Sequence, residues 1–234
     1  MDFRFIHVYP DASIDAKAVA KEIAKIFPGC KVDIRHSFKH NDRVEQARIS
    51  DTKQPFEKQP EQSADKLPLY DGFVLQRIFA GLIPAAESDN VHIIFTGLLT
   101  CTFSEDDWRY HGRAVVCGTP SIISTTGIVE APAKPREFYL AQLGSMADVG
   151  SLKKKFAGRF IDYGDNRITA AATSYALQAL FFFVTDGEPF CEDRNCRLYN
   201  AHWQEELIHV IEKGALCSRH RQMANKFNKR SAKR

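Results

Sequence analysis

The sequence predicts an α/β fold, of the α+β kind: a mixed, mainly parallel twisted sheet with helices packed on it, a buried central helix and a cysteine-bearing C-terminal segment. Three observations carry this expectation. The first 34 residues read strand, helix, strand, an order that implies parallel pairing. Residues 168–184 form a helical stretch whose last turns, Leu177 to Val184, are apolar on every side except at Gln178. A helix apolar all round lies inside a core rather than on its surface. Three of the six cysteines then follow within 27 residues, from Cys191 to Cys217.

The elements follow in order. Residues 3–9 read as a strand. Ser13 is placed to cap a helix from Ile14 to Phe27, with Val19, Ile23 and Ile26 on its inner face, and Pro28-Gly29 ends it. Cys30 to Ile34 is the second strand. Residues 37–66 are polar, contain Pro55 and Pro60 and show no period, so they read as a long loop or insertion. Phe73 to Leu82 suggests a helix, Val91 to Phe95 a buried strand, and Ala114–Val116 and Ser121–Thr125 two more. Pro135 stands where a helix can begin. The expected organisation is a domain over 1–186, a subdomain over 187–220 and a basic tail over 221–234.

At 234 residues, with 44% hydrophobic and 26% charged residues, the chain has the composition of a soluble globular protein. Its net charge is +3, yet seven of the 32 Lys/Arg and none of the 29 acids fall between Ser218 and Arg234, leaving about −4 on the rest. The basic character is therefore a property of the end of the chain. Phe227 is its only aromatic residue, so base stacking has little support and nucleic acid is not an expected partner. No apolar run approaches the roughly 20 residues that span a bilayer. Met1 to Ile6 lacks the charged-then-apolar pattern of a leader, which points to the cytoplasm. In that compartment six cysteines are thiols or metal ligands rather than disulfides.

Cys191-x4-Cys196 and Cys217-x2-His220 are two short-spaced pairs separated by 20 residues. Zinc takes four soft or borderline donors at tetrahedral corners, and a chain supplies them as close pairs. The segment between can be helical, with Asn200 as its cap, Trp203, Leu207, Val210 and Ile211 on one face and Gly214 as terminator. Such a helix would bring the pairs together. The spacing is not that of a standard finger, and unrelated cysteines in a loop are the plainer alternative.

Three stretches resemble the archaemetzincins, a zinc metallopeptidase family of archaea and vertebrates: Gly112-Arg113-Ala114-Val115-Val116, Pro135-Arg136-Glu137-Phe138-Tyr139, and the cysteine constellation directly behind the central helix. The resemblance implies a metzincin-like fold and one structural zinc on Cys191, Cys196, Cys217 and His220, with His220 where the family has a cysteine. It also implies that the family's catalytic H-E-x-x-H-x-x-G-x-x-H motif is lost. Counted back from Cys191, its ligand positions are Leu180, Val184 and Phe190, and its general-base position is Phe181; only Gly187 matches. No histidine occurs from Arg113 to Ala201. A catalytic zinc needs about three protein ligands and an open position for water, so no catalytic residues are expected.

Other groups have site-like chemistry. His36-x3-His40 has the i,i+4 spacing of a zinc-ligand pair, but Ser37 stands where the base would follow, and the pair reads as solvated surface. His92, in a buried strand, reads as a satisfied core histidine. Cys101 and Cys117 flank an acidic turn, residues 104–111, in which His111 could act as an acid or base. A hydrogen-bonded surface turn is the plainer reading. Two functions compete: an inactive peptidase homologue that binds a peptide or protein partner, and a hydrolase using ligands from elsewhere in the chain.

Overall fold

The computed structural model describes residues 3–38, 42–49, 67–144 and 148–231. Strand β1 (Phe5–Tyr9) sets the plan. Successive strand side chains point to opposite faces, so Ile6 and Val8 enter one core while His7 and Tyr9 turn to the other face. Helix α1 (Ala16–Ile26) follows, with Val19 and Ile23 fully buried. Its cap is Asp15, whose carboxylate accepts from the amides of Lys17 and Ala18, and not Ser13 as the sequence suggested. Ser13 instead bonds to Asp11.

Strand β2 (Lys31–Ile34) then lies parallel to β1, as expected. The segment read as a loop over 37–66 is anchored near its start. Residues Asp42–Ala47 form a 3-10 helix that buries Val44 and Ala47. Phe38 packs between Tyr9 and Phe79, with ring centroids at 4.6 and 5.3 Å. The remainder of that expectation, residues 39–41 and 50–66, lies outside the described residues.

Strand β3 (Leu69–Asp71) runs into helix α2 (Gly72–Ala80), capped by Asp71. Strands β4 (Val91–Thr96), β7 (Val115–Val116) and β8 (Ser121–Ser124) complete a five-stranded sheet of order β2-β1-β4-β8-β7. All its pairings are parallel except β7 with β8. A second sheet, β3-β5-β6, uses β5 (Leu99–Ser104) and β6 (Arg109–Arg113), a hairpin the sequence did not suggest.

One face of the large sheet is covered by α1 and by the central helix α6 (Ile168–Val184); the other is covered by α2 and the 3-10 helix. Helices α3 (Thr125–Glu130), α4 (Arg136–Gly144) and α5 (Val149–Lys155) fill the stretch between β8 and α6. Leu180 and Phe181 have no exposed surface, as a central helix requires. Among the described residues, no helix is long and apolar enough to cross a membrane.

The C-terminal third joins this same core. Helix α7 (Gln204–Lys213) begins after Trp203, not Asn200: the Glu206 carboxylate accepts from the amides of His202 and Trp203. It ends at Gly214, whose φ of 61° is the left-handed turn that glycine adopts freely. Helix α8 (Ser218–Ser231) corrects the solvated basic tail expected from residue 221. Its charges face outward while Ala224 and Phe227 are buried, Phe227 with its ring 4.5 Å from that of Phe3. A helix that is basic by composition thus docks through a narrow apolar stripe.

Candidate metal centre

After α6 the chain must turn sharply. Asp186 and Gly187 both take positive φ, at 58° and 109°, and the Gly187 amide donates to the Phe182 carbonyl at 2.8 Å. This turn delivers Cys191, whose amide donates to Leu198 O. Gln178, the one polar residue in the apolar end of α6, donates through Nε2 to the Tyr199 carbonyl and so ties the helix to the same loop. Between the two cysteines, Asp193 folds the loop back by accepting from Asn195 N through its side chain and from Cys196 N through its carbonyl.

The second pair arrives from the other side of α7. Arg197 N donates to Ala215 O at 2.8 Å, which draws the approach to α8 against the first loop. Cys217 immediately precedes α8 and His220 lies in its first turn. All four positions identified in the sequence therefore meet. Their ligand atoms lie within 4.8 Å of one another. Cys191 Sγ is 3.9 Å from Cys217 Sγ, and His220 Nδ1 is 3.7 Å from Cys196 Sγ and 3.1 Å from Cys217 Sγ. Tetrahedral zinc, with bonds of about 2.3 Å to sulfur and 2.0 Å to nitrogen, would set these edges at about 3.8 and 3.5 Å. A disulfide would need sulfurs about 2.05 Å apart, and all the cysteines are free thiols.

The electrostatics of the four groups differ. The Cys217 amide donates to Cys196 Sγ at 3.4 Å. Burial raises the Cys217 thiol, but the amides of His220 and Arg219 and the neighbouring thiols outweigh it and bring it below its ordinary value. Burial raises Cys191, and pushes Cys196 up to about 12. Burial also lowers His220, assisted by Arg219, which keeps its imidazole neutral and able to ligate. The His220 ring meets Phe181 edge-on at 5.4 Å and 88°. Phe181, which the resemblance sets at the general-base position, therefore buttresses the His220 ring of the cysteine cluster.

The positions that the archaemetzincin resemblance assigns to catalytic ligands carry no donor atoms. Leu180 is buried and Val184 packs partly buried against the core. Phe190 departs from the hydrocarbon packing expected of it, being 42% exposed beyond the turn at Gly187.

The other candidates separate clearly. Burial pushes Cys101 and Cys117 up to about 12, so neither offers a thiolate nucleophile at neutral pH. His111 Nε2 pairs with Asp107, which also bridges to Arg109, on the surface hairpin. His36 is exposed and His40 lies outside the described residues. His92 is a satisfied core histidine, with Tyr9 Oη at 3.0 Å from Nδ1 and Glu87 O at 2.9 Å from Nε2. What the sequence did not disclose is its setting. His7, Asp33 and His92 stand abreast on three adjacent strands, and His7, Glu87 and His92 form a second group of ligand-type atoms within 4.8 Å.

Comparison with known proteins places this architecture. A zinc-dependent peptidase from Methanocorpusculum labreanum superposes with a TM-score of 0.50 at 14% identity, over 94% of this chain and 100% of that one. An archaemetzincin from Methanopyrus kandleri gives 0.52 at 14% identity, over 100% of this chain and 97% of that one. No curated protein matches the chain. At this identity the two structures establish the fold, which is archaemetzincin-like. The family model described as "Probable metallopeptidase family (DUF6775)" matches residues 2–227, nearly the whole chain, and the chain belongs to that family.

Proposed function

We propose that this chain is a peptidase-fold protein that keeps one structural zinc, on Cys191, Cys196, Cys217 and His220, and binds a peptide or protein partner without cleaving it. One observation carries the reading: Leu180, Phe181 and Val184, where the fold would place catalytic ligands and base on α6, are hydrocarbon side chains built into the core. They can neither hold a metal nor take a proton from water. The cysteine centre does not replace them, because four protein ligands leave no position for substrate. Its role is to fasten the end of α6, the loop, and the start of α8. The binding half of the proposal rests on β6, the half-buried outer strand of the small sheet, which an extended peptide can join by main-chain pairing.

The test incubates the zinc-loaded chain with a peptide pool and reads the products by mass spectrometry. No new termini are expected, and peptides retained on the immobilised protein should return intact. Chelator-sensitive cleavage would refute catalytic silence, and passage of the whole pool without retention would remove the binding function.

A further inference from the structure

On the face of the large sheet away from α6, His7, Asp33, Arg35, Glu87 and Asn90 line a cavity of about 270 Å³, and His92 lies buried behind His7 and Glu87. Neither the cysteine centre nor α6 reaches it. We propose that His7, His92 and Glu87 form a second, open site for a divalent transition-metal ion.

The register of the sheet builds the site. His7 pairs with Asp33 on one side and with His92 on the other. The two imidazoles lie 4.8 Å apart, both almost fully buried, while Glu87 reaches in from the turn before β4. Two imidazoles and a carboxylate suit zinc, iron(II) or cobalt(II) rather than calcium or magnesium, which prefer oxygen alone. Three protein donors leave at least one coordination position for water, and the cavity gives it room.

The supporting shell is already in place. The Asp33 carboxylate is 2.5 Å from His7 Nδ1, so that nitrogen carries the proton and Nε2 keeps a lone pair. A carboxylate behind a ligating histidine is the usual means of fixing its tautomer. In the metal-free state Nε2 accepts from Asn90 Nδ2 at 3.0 Å, a half-buried amide that an ion can displace. His92 Nε2–H donates to the Glu87 carbonyl while Nδ1 accepts from Tyr9. To ligate through Nε2 it loses that proton to water and takes one at Nδ1, the Tyr9 hydroxyl turning from donor to acceptor.

Arg35 accounts for stability without the ion. It bridges Asp33 at 2.7 Å and Glu87 at 2.9 Å, standing in for the positive charge the two carboxylates require. Its side chain is 36% exposed, so it can release Glu87 to the metal while keeping Asp33.

Cobalt(II) distinguishes the two centres, because thiolate ligands give it an intense charge-transfer absorption and a nitrogen–oxygen site does not. Titrating the zinc-loaded full chain should add one equivalent of cobalt with weak visible bands only. Glu87→Gln and Asp33→Asn should weaken this binding by about 10- to 100-fold, while zinc content stays at wild type. Absence of a second equivalent would overturn the proposal and reduce the cluster to an ion-pair network. So would unchanged affinity in both variants, which would place the cobalt elsewhere. Neither outcome touches the cysteine centre, whose own failure would appear as a zinc-free chain that shows no thiolate absorption when cobalt is added.

Discussion

Two stretches only a few residues apart have met opposite fates. At the end of α6, the positions that the archaemetzincin resemblance assigns to two catalytic ligands and the base are Leu180, Val184 and Phe181, apolar side chains packed on the core. Beyond the turn at Gly187, Cys191 and Cys196 meet Cys217 and His220 with ligand atoms in reach of one ion. On the proposed reading, a catalytic and a structural metal are separable parts of one architecture. Removing donors from a buried helix is compensated by apolar burial, since leucine and phenylalanine gain about 1.5–3 kcal/mol each from leaving water. The C-terminal loop buries Cys196 and Leu198 in the same core, while its exposed residues 192–195 are held by hydrogen bonds to Asp193.

The sharpest way to break this contrast is to take the metal away. Zinc binding in structural sites contributes on the order of 10 kcal/mol, comparable to the whole net stability of a domain at about 5–15 kcal/mol. A strong chelator, or Cys196→Ala, should therefore abolish cooperative unfolding or lower its midpoint by tens of degrees in a calorimetric scan. An unchanged midpoint together with zinc-free protein by mass spectrometry would show that the four residues hold nothing.

A smaller effect is expected at the contact between the two stretches. Phe181→Ala should cost about 3–5 kcal/mol from the core void alone. It should also loosen the zinc, because the His220 ring leans on Phe181. The readout is the zinc dissociation rate: acceleration ties the stretches together, whereas a melting shift with unaltered zinc release separates them. His220→Cys probes the same seam from the other side. It should retain zinc, since sulfur replaces nitrogen, while the lost ring leaves a gap costing about 1–3 kcal/mol in denaturant titration.

The smallest effect concerns the start of α6. Asp165 accepts from the Arg167 amide and guanidinium, and Arg167 also donates to the carbonyls of Gly158 and Phe160. The Arg167 hydrogen bond holds the Asp165 carboxyl below its usual range. A group with a depressed native pKa stabilises above its unfolded pKa and loses that contribution as pH falls through the native one. Asp165→Asn should thus cost about 1 kcal/mol at pH 7, and the difference from wild type should vanish in acid. Equal midpoints for both proteins at pH 7 would remove the ion pair from the account of α6.

How much of this was legible in the sequence depends on whether the signal is local. The β1-α1-β2 unit follows from periodicity and α6 from all-round apolarity that a short window contains, and the four cysteine-centre residues from paired spacing together with the archaemetzincin resemblance. The β5–β6 hairpin did not follow. Arg109-Tyr110-His111-Gly112-Arg113 carries almost no apolar alternation, because none of its residues is fully buried and neither side enters a core. Trp108 sits in the hairpin turn with φ at 55°, where a glycine would have marked it. Helix α8 was misread because its five positive charges outweigh, by composition, a stripe as thin as His220, Ala224 and Phe227. The His7–Asp33–His92 row is harder still. Its members lie 26 and 85 residues from His7, and only the parallel register places them side by side. Single residues in alternation reveal which face they occupy, but not who stands beside them.

Helix α8 is pinned at both ends. The cysteine centre grips its first turn, while near its other end Phe227 sits against Phe3 and Phe27 and Asn228 donates to the Ile26 carbonyl at 2.9 Å. Phe27 in turn touches Phe181, 5.8 Å between ring centroids, which returns to His220. The circuit closes through aromatic rings alone. A terminal helix ordinarily frays, and its amides exchange with solvent long before those of the core. Here the amides between Arg221 and Asn228 should instead exchange in step with α6 and β1, as one cooperative unit, and lose that protection together when the ion leaves.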